Sequence, residues 1–150
     1  MQVFWLIVVG LMGISFTGQA QPPSEQVSHT LKAYAKAIES RDLVKIASLV
    51  DTTEQFSVFE SGHVNIGWQD YRDHHLAPEL KAFQAIQYRF QNIQVQAAEN
   101  LAVATLRYTI HVTLPQKEIS ARGVGTFVLV RQPDGWKIQH IHTTRSRDKH

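Results

Sequence analysis

The sequence contains no cysteine among its 150 residues. Disulfide staples, zinc ribbons, iron–sulfur clusters and a cysteine nucleophile are thereby excluded, because each needs a thiolate or its oxidised form. No Walker or dinucleotide glycine fingerprint occurs, and there is no repeat, low-complexity tract or linker, so the chain reads as a single domain. Charge of one sign is also scarce: 15 Lys and Arg oppose 13 Asp and Glu, a net +2. The basic residues are scattered, and the one cluster, Arg145, Arg147 and Lys149, is diluted by Asp148. A nucleic-acid surface needs a denser basic face, so nucleic acid is set aside as a partner. At 43% hydrophobic and 9% aromatic, the chain has the make-up of an ordinary globular domain, neither disordered nor collagen-like.

What is present begins with an apolar run from Val3 to Phe16, then Thr17-Gly18-Gln19-Ala20 and Gln21-Pro22-Pro23, and no charged side chain precedes Glu25. The run is too short to span about 30 Å of hydrocarbon comfortably, but it suits a signal-peptide core with a small-x-small cleavage site at Gly18-x-Ala20. The sequence predicts a leader over 1–20, cleaved after Ala20, and a mature domain over 21–150 in the periplasm or outside the cell. No membrane contact is expected once the leader is removed. An uncleaved anchor or a buried terminal strand is the alternative. Disulfides are permitted in such a compartment and this chain has none, so its stability must rest on burial.

In the mature part, Ser24 suits an N-cap with Glu25 in the first turn, and Val27, Leu31, Ala35 and Ile38 recur at helical spacing. Asp42 caps a short second helix carrying Leu43, Ile46, Ala47 and Val50. Phe56–Glu60 reads as a strand ended by Ser61-Gly62. Residues Gly67–Phe83 read as a third helix, with Trp68, Tyr71, Arg72, His75 and Leu76 on one side and an interruption at Pro78. Three segments rich in β-branched and aromatic residues follow, Gln84–Ala98, Leu101–Leu114 and Ile119–Arg131. Pro133-Asp134-Gly135 then turns into a last strand over Trp136–Thr144. Strands in succession with short turns form an antiparallel meander, and the helices must cover one face of it.

This order, with the closing segment Asp134-Gly135-Trp136-Lys137-Ile138-Gln139-His140-Ile141-His142, resembles the SnoaL-like branch of the nuclear-transport-factor-2-like superfamily. The closing segment, and Phe59-Glu60 followed by a helix carrying Asp70-Tyr71, also resemble the association domain of calcium/calmodulin-dependent kinase II. The resemblance implies an α+β fold, a cone-shaped, curved antiparallel sheet packed on three N-terminal helices, with a pocket between them. It further implies a homodimer formed through the sheet's outer face. Relatives of this kind include isomerases, dehydratases, cyclases and hydrolases as well as non-catalytic binders, so the chemistry has to be read from the site.

Strict alternation along the last strand places Trp136, Ile138, His140 and His142 on one face, with the two imidazoles about 7 Å apart. That face is expected to line the cone. His75 shares the helix side of Trp68 and Tyr71, whereas His74 and Asp70 fall on the polar side. Arg107 interrupts an apolar strand. On the inner face it would bind a carboxylate or phosphate, and on the outer face it would pair with a cross-strand acid. Arg122 precedes Gly123-Val124-Gly125, where the glycines suggest a bulge or sharp bend.

The expected small-molecule site therefore comprises Trp68, Tyr71, His75, Arg107, His140 and His142. Its leading reading is an exported ligand-binding protein. One rival is an isomerase, dehydratase or hydrolase in which a histidine pairs with Glu60 or Asp70, although Asp70 also suits a first-turn cap and Glu60 a strand-end charge. A second rival is a periplasmic protein holding zinc or copper on His63 or His75 with His140 and His142. Otherwise no cofactor is expected.

Overall fold

The structure is a computed structural model that describes residues 21–146. The leader read over 1–20, and Arg147 and Lys149 of the basic cluster, lie outside the described residues. Among the described residues no helix is long and apolar enough to cross a membrane.

Helix α1 spans Pro23–Glu39. It begins two residues earlier than the Ser24 cap predicts: Pro22 holds the cap position and Pro23 supplies a preset φ where the missing N–H costs nothing. Glu25 in its first turn and Lys36 in its last complement the helix dipole. Val27, Leu31, Tyr34 and Ile38 form its buried stripe, which lies against the sheet. Helix α2, Leu43–Ala47, is capped by Asp42, whose carboxylate accepts from the Lys45 amide at 2.9 Å.

The strand read at 56–60 is one arm of a hairpin, β1 (Ser57–Glu60) and β2 (His63–Ile66), turning on Ser61-Gly62 with both residues at positive φ. The second arm was hidden because His63-Val64-Asn65-Ile66 sits on the sheet edge and carries little apolar signal. The third helix runs in three consecutive pieces: α3 (Trp68–Tyr71), a π-helical turn (Arg72–Leu76) and α4 (Ala77–Ala82). Pro78 sits in the first turn of α4 and explains the break. Its ring crowds the carbonyl four residues back and it offers no donor, so the preceding turn widens, the Ala77 amide bonding to the Arg72 carbonyl.

Strands β3 (Ala85–Ala97), β4 (Leu101–Leu114), β5 (Lys117–Gln132) and β6 (Gly135–Arg145) form the expected antiparallel meander. The hairpin joins it through β1, which runs parallel to β6, giving the order β2-β1-β6-β5-β4-β3. The helices cover one face of this curved sheet. The core between the layers centres on Phe56, Phe127, Leu129 and Ile138, all fully buried.

Two irregularities shape the sheet, and neither lies at the glycines of β5. The β4–β5 register runs unbroken through Gly123 and Gly125, which corrects the expected bulge there. One irregularity is in β3 between Gln91 and Gln94. The other is in β6, where Val128 faces His140 but Leu129 faces Ile138, so Gln139 is an extra residue. Ile138 spends its amide and carbonyl on Leu49 and Asp51, at 2.9 and 2.8 Å. From His140 onward the same edge pairs with β1 instead. Gln139 occupies the changeover, its amide donating to Asp51 at 2.9 Å and to Gln55 at 3.1 Å.

Gly123 is required by packing. A Cβ there would run into the Thr144 carbonyl and come within 2.6 Å of the Tyr108 ring. Gly123→Ala is expected to lower stability by about 1–3 kcal/mol through overpacking against backbone that cannot yield. The urea unfolding midpoint, at unchanged slope, measures it.

Candidate functional site

The extra residue in β6 reverses the alternation that the sequence suggests. Trp136 and Ile138 face the core, but beyond Gln139 the inward positions are Ile141 and Thr143, 4% exposed each. His140 and His142 face the outer side. The energetics favour this arrangement. Strict alternation would turn Ile141 outward, forfeiting about 2 kcal/mol of burial. It would also desolvate two imidazoles at about 1–3 kcal/mol each wherever they lacked partners. The expectation that His140 and His142 line the cone is thus corrected, the reason being the changeover of β6 from Leu49–Asp51 to β1.

The inner face acquires other polar groups. Pairing of β1 with β6 and β2 sets Glu60 beside Thr143 and His63, and Val58 beside Ile141 and Asn65. Glu60 and Thr143 therefore enter a cavity of about 80 Å³ between sheet and helices, together with Tyr34 from α1, Tyr71 and Glu79 from the third helix, and Tyr88 from β3. A shallower hollow of about 310 Å³ lies outside it, lined by His63, Asn65, His74, His75, Pro78 and Glu79. Glu79 borders both, so the two form one mouth.

His75 stands at that mouth. Its Nδ1–H donates to Asn65 Oδ1 at 2.9 Å, and Asn65 Nδ2 donates to Asp70 at 2.8 Å. Asp70 also accepts from His74 at 3.0 Å, and these two bonds hold its carboxyl below the ordinary value. The amide bond commits Nδ1 as a donor and turns Nε2 toward the carboxylates of Glu60 and Glu79, each 3.6 Å away. That spacing exceeds a direct hydrogen bond and suits a proton or ligand atom drawn between the three groups. The Tyr71 ring lies edge-on to His75 at 5.1 Å.

Burial lifts the Glu79 carboxyl above its ordinary range, and the nearby Glu60 charge adds to the lift, while His75 and His63 oppose it. Burial likewise pushes the Tyr34 phenol up to about 12 and raises Tyr71 and Tyr88. The phenols therefore stay protonated and act as hydrogen-bond donors. Tyr34 and Tyr71 meet oxygen to oxygen at 3.5 Å. The site thus sets carboxylates and an imidazole close enough to share a proton through a bound atom, beside neutral phenols able to donate to an oxygen.

Of the residues expected to form the site, Tyr71 and His75 are placed there. Trp68 is buried behind it, edge-on to Phe56 at 5.7 Å, and supports the wall. Arg107 lies on the outer face, so it orients no anion in the cone. It also lacks the expected cross-strand acid, being paired with Gln91 and Val124. His140 bonds Ser57 Oγ at 2.8 Å on that same outer face. The metal set is not brought together, since His63 and His75 are on the helix side and His140 and His142 on the other. Among the described residues no group of three or more His, Asp or Glu is placed to hold a metal ion. Tyr34, Asn65, Glu79 and Tyr88 were missed. A signal existed for two of them: Tyr34 falls within the apolar stripe of α1, and Glu79 lies four residues after His75.

The fold and its mouth define a class, the curved-sheet cones with a polar pocket between sheet and helices. Residues 27–144 match the SnoaL-like domain, and the chain belongs to that family. No curated protein matches it in sequence. Among solved structures it is similar to a nuclear transport factor 2 (NTF2-like) superfamily protein from Salmonella enterica serovar Typhimurium, with a TM-score of 0.78, 16% identity, and coverage of 85% of this chain and 94% of that one. It is also similar to a Streptomyces avermitilis protein named as a dehydratase of the NTF2-like family, with a TM-score of 0.75, 22% identity, and coverage of 84% and 97%. A Shewanella frigidimarina protein named as a ketosteroid isomerase aligns with a TM-score of 0.67 at 20% identity, over 79% and 94%. At these identities the likeness shows the fold.

The raised Glu79 carboxyl sets a pH dependence. Its contribution to stability is fully present below the unfolded-state value of about 4.5 and is lost as pH rises through the higher folded-state value, because the unfolded chain releases its proton first. Relative to Glu79→Gln, the wild-type urea midpoint is expected to fall as pH rises above about 4.5, the comparison cancelling the other carboxyls. A difference between the two proteins that does not change with pH would contradict the assignment.

Proposed function

We propose that the chain binds a small, uncharged, oxygen-bearing molecule at the mouth of the cone and moves a proton on it through Glu60, His75 and Glu79, the reaction class being isomerisation or dehydration. The observation that carries this reading is His75 Nε2 held 3.6 Å from two carboxylates above a cavity of neutral phenols. Two carboxylates at the opening disfavour an anionic ligand, and the tyrosines favour a carbonyl or hydroxyl oxygen. The inner cavity of about 80 Å³ takes only part of a molecule, and the rest occupies the hollow beside His63 and His74. Neighbours named as a dehydratase and a ketosteroid isomerase agree in reaction class. Simple ligand binding, without turnover, is the second reading, favoured by the length of those same contacts.

Cyclohex-3-enone in deuterated buffer, followed by NMR, tests the chemistry. Wild type is expected to catalyse deuterium uptake and migration of the double bond. Glu60→Gln and His75→Gln should each slow it by about a hundredfold or more, with ligand saturation-transfer signals retained. Binding without deuterium uptake would leave the second reading, and absence of both would remove the site.

We also propose export to the periplasm or beyond, on the apolar run and small-x-small site before Gln21. Expression of the full chain with a C-terminal tag, followed by N-terminal sequencing, is expected to give a mature product beginning at Gln21 in the exported fraction. Retention of Met1 in that fraction would contradict cleavage.

A further inference from the structure

The outer face of the sheet gathers the arginine and histidine that the cone does not use. Register places Gln94, Thr105, Thr126 and His142 in one row across β3 to β6, and Gln91, Arg107, Val124 and Thr144 in the next. A groove of about 530 Å³ runs over these rows, lined by Asn92, Gln94, Thr105, Arg107, Thr126 and His142. The β3 irregularity supplies Asn92 to it: the residue is at φ +51°, a conformation Asn tolerates better than most side chains, and bulges of this kind re-aim a residue out of the ladder.

Cations outnumber acids on this face. Register sets Arg89 and Arg122 in the row on Thr109, beside the row of Arg107, and the outward carboxylate of these strands is Glu118. Glu118 pairs with Thr113, about 20 Å along β4 from Arg107 at about 3.4 Å per residue. Arg107 itself makes no hydrogen bond or ion pair to any described residue. A guanidinium fork with no partner among the described residues, ringed by hydroxyls, carboxamides and an imidazole, matches the geometry of an oxyanion.

We propose that this groove is a second binding site, separate from the cone, for a small molecule bearing a carboxylate or phosphate, with the oxyanion on Arg107 and its polar body over Thr105, Thr126 and Asn92. Because the groove is open to water, binding is screened by salt.

The test uses isotope-labelled protein at low salt, titrated separately with inorganic phosphate and with succinate, and with chloride at matched ionic strength as the control. Saturable shifts of the Arg107 Nε–H and His142 resonances with phosphate or succinate are expected, and the stronger of the two identifies the oxyanion. Arg107→Gln should weaken binding about tenfold or more, and Arg107→Lys should fall between, since it keeps the charge and loses the fork. Glu60→Gln should titrate like wild type, which separates this site from the cone. Shifts no larger than those with chloride, or unchanged affinity in Arg107→Gln whose spectrum is otherwise intact, would overturn the proposal. Sedimentation showing a stable dimer whose Arg107 signals respond to neither anion would overturn it too, and would assign the face to self-association.

Discussion

Strand β6 has two different neighbours along one edge, and the chain must change from one to the other without breaking the core. At Ile138 the edge is taken by Leu49 and Asp51, and from His140 it is taken by β1. The change is accommodated by a single inserted residue, Gln139, whose carboxamide is tied to the buried Asp51. Every later residue of β6 then has its facing reversed. Because β1 takes its register from β6, and β2 from β1, the same insertion decides that Glu60, His63 and Asn65 face the helices while Ser57, Phe59 and Val64 face away.

The polar groups at the cone survive burial because each buried one is either neutral or placed at the rim. Tyr34, Tyr71 and Tyr88 lie deep and remain uncharged phenols. Glu60 and Glu79, with side chains about half exposed, keep contact with water. His75 is the most enclosed of the charged-capable groups at the rim, and it has a fixed donor bond through Asn65. The π-helical turn forced by Pro78 belongs to the same device, for it carries His75 at its edge and hands over to α4, which supplies Glu79 one turn later.

Much of this was legible in the residues. The helices, the four-strand meander, the Asp42 cap, the Pro78 interruption and the pocket side of Tyr71 and His75 follow from periodicity, capping chemistry and the geometry of proline. The facing of His140 and His142 was not, because parity is a local rule that one inserted residue defeats. The insertion depends on Leu49–Asp51 arriving beside β6, a contact between residues almost ninety positions apart. Glu60 shows the same limit from the other side. The sequence offers it both as a histidine's partner and as a plain strand-end charge, and only pairing with Thr143 and His63 turns it inward. Arg107 was legible as an anomaly in an apolar strand, but the absence of an acid opposite it required the register of three strands.

The near-neutral charge of the chain conceals a difference between the two faces of the sheet. Glu60 and Glu79 stand at the mouth of the cone, with Asp70 and Asp73 nearby on the third helix, whereas register places Arg89, Arg107 and Arg122 together on the outer face. Charges of opposite sign on opposite faces bias the potential at each surface. The mouth therefore disfavours anions and the outer face favours them, so the ligands proposed for the two sites would not compete for the same groups.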